Sequence, residues 1–173
     1  MTLVLETGQG LPDANSYISN QDAINHLPSS NLDVWNGLSD DERIDRLVIA
    51  SQFIDSSFEW VGMRKTFEQG LSWPRVNVMY QGHIVPDNIV PQQIKRASIM
   101  ALLLIHEFGI EFFRSTGEAS IKREKLAVLE TEYFEPGMYA IYESRFGDIN
   151  NMLRGFYTAQ ITSGVLTADV IRA

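Results

Sequence analysis

The chain contains no cysteine, which excludes disulfides, thiolate metal sites and a cysteine nucleophile and is compatible with a reducing cytoplasm. It also has no apolar run long enough for a bilayer. The stretch Ile99 to Ile105, IMALLLI, is seven residues long against the roughly 20 that a membrane helix needs. No basic residue precedes the short apolar run in MTLVLETGQG, so a secretory leader is not expected, and the product should stay in the cytoplasm where it is made. Basic residues are scarce: 14 Lys and Arg stand against 22 Asp and Glu, a formal net charge of −8 with a sequence pI near 4.8. That balance argues against a general nucleic-acid binder, whose affinity comes largely from neutralising phosphates. The cations occur in scattered groups, Arg64 with Lys65, Lys95 with Arg96, and Lys122, Arg123 and Lys125, which leaves room for a local basic patch.

Motifs of turnover are absent as well. His26, His83 and His106 fall in different predicted elements. Neither His-Glu-x-x-His nor Glu-x-x-His occurs, and Glu107 with Glu111 makes a poor metal site. There is no Gly-x-Ser-x-Gly elbow, no phosphate-binding Gly-x-x-x-x-Gly-Lys loop and no Gly-x-Gly-x-x-Gly. No catalytic, metal or cofactor residue can be named, and an enzyme is not expected. With 45% hydrophobic and 21% charged residues the chain reads as globular.

What is present is chiefly helical. From Pro91 to Phe113 the residues Ile94, Ala97, Ala101, Leu104, Ile105, Phe108 and Phe112 recur at three and four, and Pro91 suits the first helical position. The all-apolar turns Ile99 to Ile105 should be covered on every side, by other elements or by a neighbouring subunit. A second helix, about 39–60, opens on Ser39-Asp40-Asp41-Glu42, which has capping-box spacing, and carries the stripe Ile44, Leu47, Val48, Ser51, Ile54, Phe58 and Val61. A short helix is expected from Gln21 to His26 behind a Ser19 or Asn20 cap, with another turn near Leu32 to Trp35. The fold class predicted is mainly α, a bundle around two long antiparallel helices (about 39–60 and 91–113) with a small β-hairpin and strand component.

The remainder is extended or irregular. Leu3 to Leu5 and Ser16 to Ile18 are strand-like and suggest an N-terminal extended arm or a small edge sheet. Residues 62–90 lack helical period for longer than a plain connector needs, with a hairpin at Val76 to Val85 turning near Gln81-Gly82. Ile121 to Phe134 alternates like a strand, and a helix covers Tyr139 to Tyr157. Residues 1–157 are expected to form one domain and 158–173 a C-terminal interaction tail. That tail carries aliphatic residues, Ile161, Val165 and Leu166 among them, which with Phe156 and Tyr157 are candidates for lying along a partner.

Two features suggest contacts with other chains. Lys95 and Arg96 sit in the first turns of the Pro91 helix and Glu107 and Glu111 in its last, against the macrodipole at both ends. Pairing across a head-to-tail subunit contact would explain this, and so would pairing within the chain. Trp73-Pro74-Arg75 reads either as a docking loop or as a plug, with Trp73 packed at the base of the hairpin and Arg75 on its rim, which is the commoner use of tryptophan.

Several motifs together carry a family likeness: Asn15-Ser16-Tyr17-Ile18-Ser19, Trp60-Val-Gly62-Met-Arg64, Gln69-Gly-Leu71-Ser-Trp73-Pro74-Arg75, Ile84-Val-Pro86, Ile89-Val-Pro91, Lys122-Arg-Glu-Lys125 and Leu129-Glu-Thr-Glu-Tyr133. Over most of residues 6–134 the chain resembles tailed-phage and prophage proteins called DnaT-like single-stranded-DNA-binding proteins, which are similar to head-tail connector adaptors. Lys125-Leu126-Ala127 departs from the pattern, since relatives often have Gly after the Lys. The resemblance implies a structural connector of the virion neck, assembled in the host cytoplasm. This would be a homo-oligomeric ring, dodecameric in such adaptors, bound to the portal and to tail or neck proteins. Double-stranded DNA would pass through it without tight binding, and an acidic wall would let the duplex slide. The alternative is single-stranded-DNA binding in phage replication, which needs a cationic groove with aromatic stacking surfaces; Tyr80, Arg75 and His83 are the residues nearest to that description.

Overall fold

A computed structural model describes residues 1–109, 136–162 and 165–166. Among these lie five helices, α1 (Asn20–His26), α2 (Ser29–Gly37), α3 (Asp40–Ser57), α4 (Gln92–Phe108) and α5 (Pro136–Leu153). The strands are short: β1 (Phe58–Trp60), β2 (Met63–Arg64), β3 (Arg75–Val76), β4 (Met79–Tyr80), β5 (His83–Ile84), β6 (Tyr157–Thr162) and β7 (Val165–Leu166). They form an antiparallel sheet in the order β1-β6-β7 and two antiparallel ribbons, β2-β3 and β4-β5. The expected strand Ile121 to Phe134, Glu111, Phe112 and the break at Arg114 to Gly117 lie outside the described residues.

Local chemistry sets the helix starts. Ser19 and Ser39 each close a capping box, the serine oxygen accepting from the N3 backbone while the Asp22 or Glu42 carboxylate accepts from the cap's own N–H. Each satisfies backbone donors that a helix end otherwise leaves unpaired, worth about 1 kcal/mol per cap. At the far end of α4 the chain leaves the helix at Gly109, whose φ of +82° a side chain would resist. The Pro91 helix thus ends at Phe108, short of the expected Phe113.

The core lies between α3 and α4, with α5 packed on α4. Leu47, Val48, Ala50, Ile54, Ile94, Ala97, Ala101, Leu102, Leu104 and Ile105 are buried there. The run Ile99 to Ile105 is buried or half-buried at every position by this chain alone, so it needs no second subunit to cover it.

Two expectations change where non-local pairing intervenes. The second helix stops at Ser57 instead of about residue 60, because Phe58 and Trp60 turn inward as alternate residues of β1 and pair with β6. The segment 158–162, expected in a tail lying along a partner, is part of β6 and lies along β1 of its own chain, with Phe58 opposite Gln160, while Ile161 pairs with Leu166 of β7. The N-terminal segment is likewise folded in. Leu5 bridges Ser16 in parallel, and Tyr17 and Ile18 have no exposed surface.

Candidate nucleic-acid interface

The segment between α3 and α4 is held by side chains that bond to the backbone. Buried Gln69 accepts from Thr66 N–H (2.9 Å) and donates to the Leu71 and Pro74 carbonyls (2.7 and 3.1 Å). Gly70 lies so close to the N-terminal loop that a Cβ would meet Ala14 O at 2.4 Å. Ser72 donates its N–H (2.8 Å) and hydroxyl (3.1 Å) to the Asp55 carboxylate. The Tyr17 hydroxyl also donates to Asp55, and its oxygen accepts from Trp73 N–H at 3.0 Å. Burial raises the Asp55 carboxyl above its ordinary value, against the pull of the Tyr17 and Ser72 hydrogen bonds and of the Arg64 charge. Burial, then the nearby Asp55 charge, pushes the Tyr17 hydroxyl well up.

Trp73 and Pro74 are therefore not a docking loop. Trp73 is 0% exposed, edge-on to Trp60 and Phe156 at 5.8 and 5.6 Å, and Pro74 is buried beside it. Arg75 is half-buried and donates to the carbonyls of Trp60, Val61, Gly62 and Ser72 at 2.7–3.3 Å. It buttresses the turn between β1 and β2. Phe156 is buried under Tyr80, with which it stacks at 4.2 Å, and Tyr157 is half-buried 4.8 Å from Phe58.

Two charges of α4, Lys95 and Glu107, find partners within the chain. Glu107 sits 3.7 Å from Arg145 of α5. Lys95 faces Asp22: partial burial would raise that carboxyl, but hydrogen bonds from Ser19 and the charges of Lys95 and His26 hold it below its ordinary value. Of the two explanations offered for these charges, the intrachain one accounts for Lys95 and Glu107. Arg96 is exposed with no ion pair among the described residues.

A different surface gathers positive charge. In the β2-β3 ribbon Arg64 stands directly opposite Arg75, an arrangement of like charges that costs stability. Burial, then the Arg64 charge, lowers the Arg75 guanidinium from its usual value. Arg64 is exposed and makes no ion pair among the described residues. Lys65 follows, its ammonium donating to Gly8 O at 3.0 Å. Two residues on, Phe67 is 96% exposed. The neighbouring β4-β5 hairpin turns through Gln81 and Gly82, both at positive φ, and exposes Met79, His83 and Ile84. Its Tyr80 has one face occupied by Phe156.

Comparison with known proteins decides the family. The model of the family described as "Putative DnaT-like ssDNA binding protein" matches residues 1–173. The chain belongs to that DnaT-like family. No curated protein and no solved structure matches the chain. The connector expectation is thereby corrected. The family that spans the chain is described by single-strand binding, and no likeness to a head-tail connector supports a portal-bound ring, its tail or neck partners or a place in the virion neck. A net charge of −8 does not weigh against strand binding where cations gather locally, because association depends on the local field. Phe67 escaped notice because it belongs to no apolar period. Its only signal was a large ring between cations and a turn, Arg64-Lys65-Thr66-Phe67, in a stretch with no helix to bury it.

Proposed function

We propose that this DnaT-like protein binds single-stranded DNA, without turnover and without a resident cofactor, in the cytoplasm where DNA is copied. The whole-length family match carries the reading. The β2-β3 face supports it: adjacent cations Arg64, Lys65 and Arg75 with an exposed aromatic ring are the two ingredients of sequence-tolerant strand binding, a charged track and a surface for bases. In this reading α3 and α4 run antiparallel, and the hydrogen bonds of Gln69 and Arg75 hold the β2-β3 face in shape, so that a strand meets a formed surface.

The test is a titration of labelled oligo-dT followed by fluorescence anisotropy at several salt concentrations. Neutralising phosphates with three cations predicts a slope of log K against log salt of about −2, from roughly −0.7 per contact on single strands. A duplex of equal length should bind more weakly, since its bases are already stacked. No binding at low salt, or equal binding to duplex, would refute the proposal.

A further inference from the structure

Phe67 leaves almost its whole ring in water, yet its loop is not loose. Thr66 N–H is held by Gln69, Thr66 Oγ1 reaches Gly10 O at 3.3 Å, Lys65 N–H bonds Pro74 O at 3.2 Å, and Gly70 N–H bonds Leu11 O at 2.9 Å. The ring is thus presented outward from a pinned backbone, with low ordering cost on binding. No other aromatic ring among the described residues touches it. Two and three residues before it stand Lys65 and Arg64, the latter without an ion pair among the described residues, in a chain that is otherwise strongly acidic. An apolar protein partner has no need of those cations, and an anion alone has no need of the ring. An unpaired nucleotide uses both.

Resting on the single-strand reading, we propose that Phe67 is a stacking platform for one unpaired base and that Arg64 contacts the adjoining phosphate. Base-aromatic stacking makes the site tolerant of sequence, because every base has a π-face. The exposed Glu68 beside Phe67 opposes the strand, so it limits affinity and flattens the dependence on salt.

The experiment compares wild type, Phe67→Ala, Phe67→Trp, Phe67→Leu and Arg64→Ala on two strands of equal length, oligo-dT and a strand whose central residues are abasic. Phe67→Ala should weaken oligo-dT binding about 5- to 150-fold and leave abasic-strand binding within about twofold. Phe67→Trp should restore the dT affinity and Phe67→Leu should not. Arg64→Ala should weaken both strands and make the salt slope shallower by about 0.7. If wild type binds dT but Phe67→Ala binds it equally well, or loses as much on the abasic strand, or if Phe67→Leu binds like wild type, stacking is overturned and single-strand binding stands. If wild type binds neither strand, the single-strand reading itself falls and takes this one with it.

Discussion

Replacing Asp55 should separate the value of its hydrogen bonds from the cost of its charge. Its carboxylate accepts from the Tyr17 hydroxyl, from Ser72 N–H and from the Ser72 hydroxyl, in a site that is mostly buried. Asp55→Ala strands the Tyr17 hydroxyl, whose residue is 0% exposed, and a part-buried Ser72 N–H, while the Ser72 hydroxyl can turn to water. Two stranded donors at about 1–3 kcal/mol each, less the relief of an ion in a dry site, give a net loss of about 2–4 kcal/mol. Asp55→Asn keeps an acceptor for Tyr17 and Ser72 N–H and offers its amide to the Ser72 hydroxyl, so it should cost less than about 1 kcal/mol at neutral pH. The sign of the pH effect follows from the raised carboxyl. The folded state holds the proton more tightly than the unfolded state, so Asp55 costs stability above its folded value. That cost fades as pH falls toward the ordinary carboxylate range. Urea melts followed by tryptophan emission should show wild type gaining on Asp55→Asn as pH drops through that window. Asp55→Asn as damaging as Asp55→Ala, or a wild-type difference that does not move with pH, would refute this account of the network.

Four further outcomes are expected. Glu6 is 0% exposed and accepts from the N–H groups of Gly8, Gln9, Gly10 and Leu11 at 2.7–3.0 Å. Glu6→Ala should cost about 3–5 kcal/mol in a urea melt and Glu6→Gln, which retains one oxygen, about half of that. Ser39→Ala removes a capping box and should lower stability by about 1 kcal/mol, read by the same melt. Phe67→Ala, with its ring already in water, should leave the melting midpoint unchanged within about 0.5 kcal/mol. Glu68→Gln should tighten oligo-dT binding and steepen its salt dependence, and weaker binding would count against a strand passing Phe67.

Features fixed by near neighbours were legible in the sequence. Ser19 with Asp22, Ser39 with Glu42, the Gln81-Gly82 turn and the stripe from Ile94 to Ile105 are all local patterns, and each is present in the structure. Features made by distant residues were not. Nothing in Phe58-Glu59-Trp60 announces that β6, about a hundred residues on, will draw it out of the helical stripe, where Thr158 Oγ1 reaches Glu59 O. Asp55 looks like one more helix carboxylate until Tyr17 and Ser72 are folded onto it. Trp73 and Arg75 bring bulk and five donors, and those properties serve the inside of the loop. The side chains that face outward, Arg64 and Phe67, differ from ordinary surface residues in making no ion pair and no ring contact among the described residues, which a sequence does not display.

Photocrosslinking an oligonucleotide carrying 5-iodouracil, followed by mass mapping of the adduct, tests the central claim most directly. The account predicts attachment within Met63 to Phe67, with Phe67 the principal site, and competition by unlabelled single strand but not by duplex. Adducts confined to other faces, such as α1 and α2, with none between Met63 and Phe67, would contradict it.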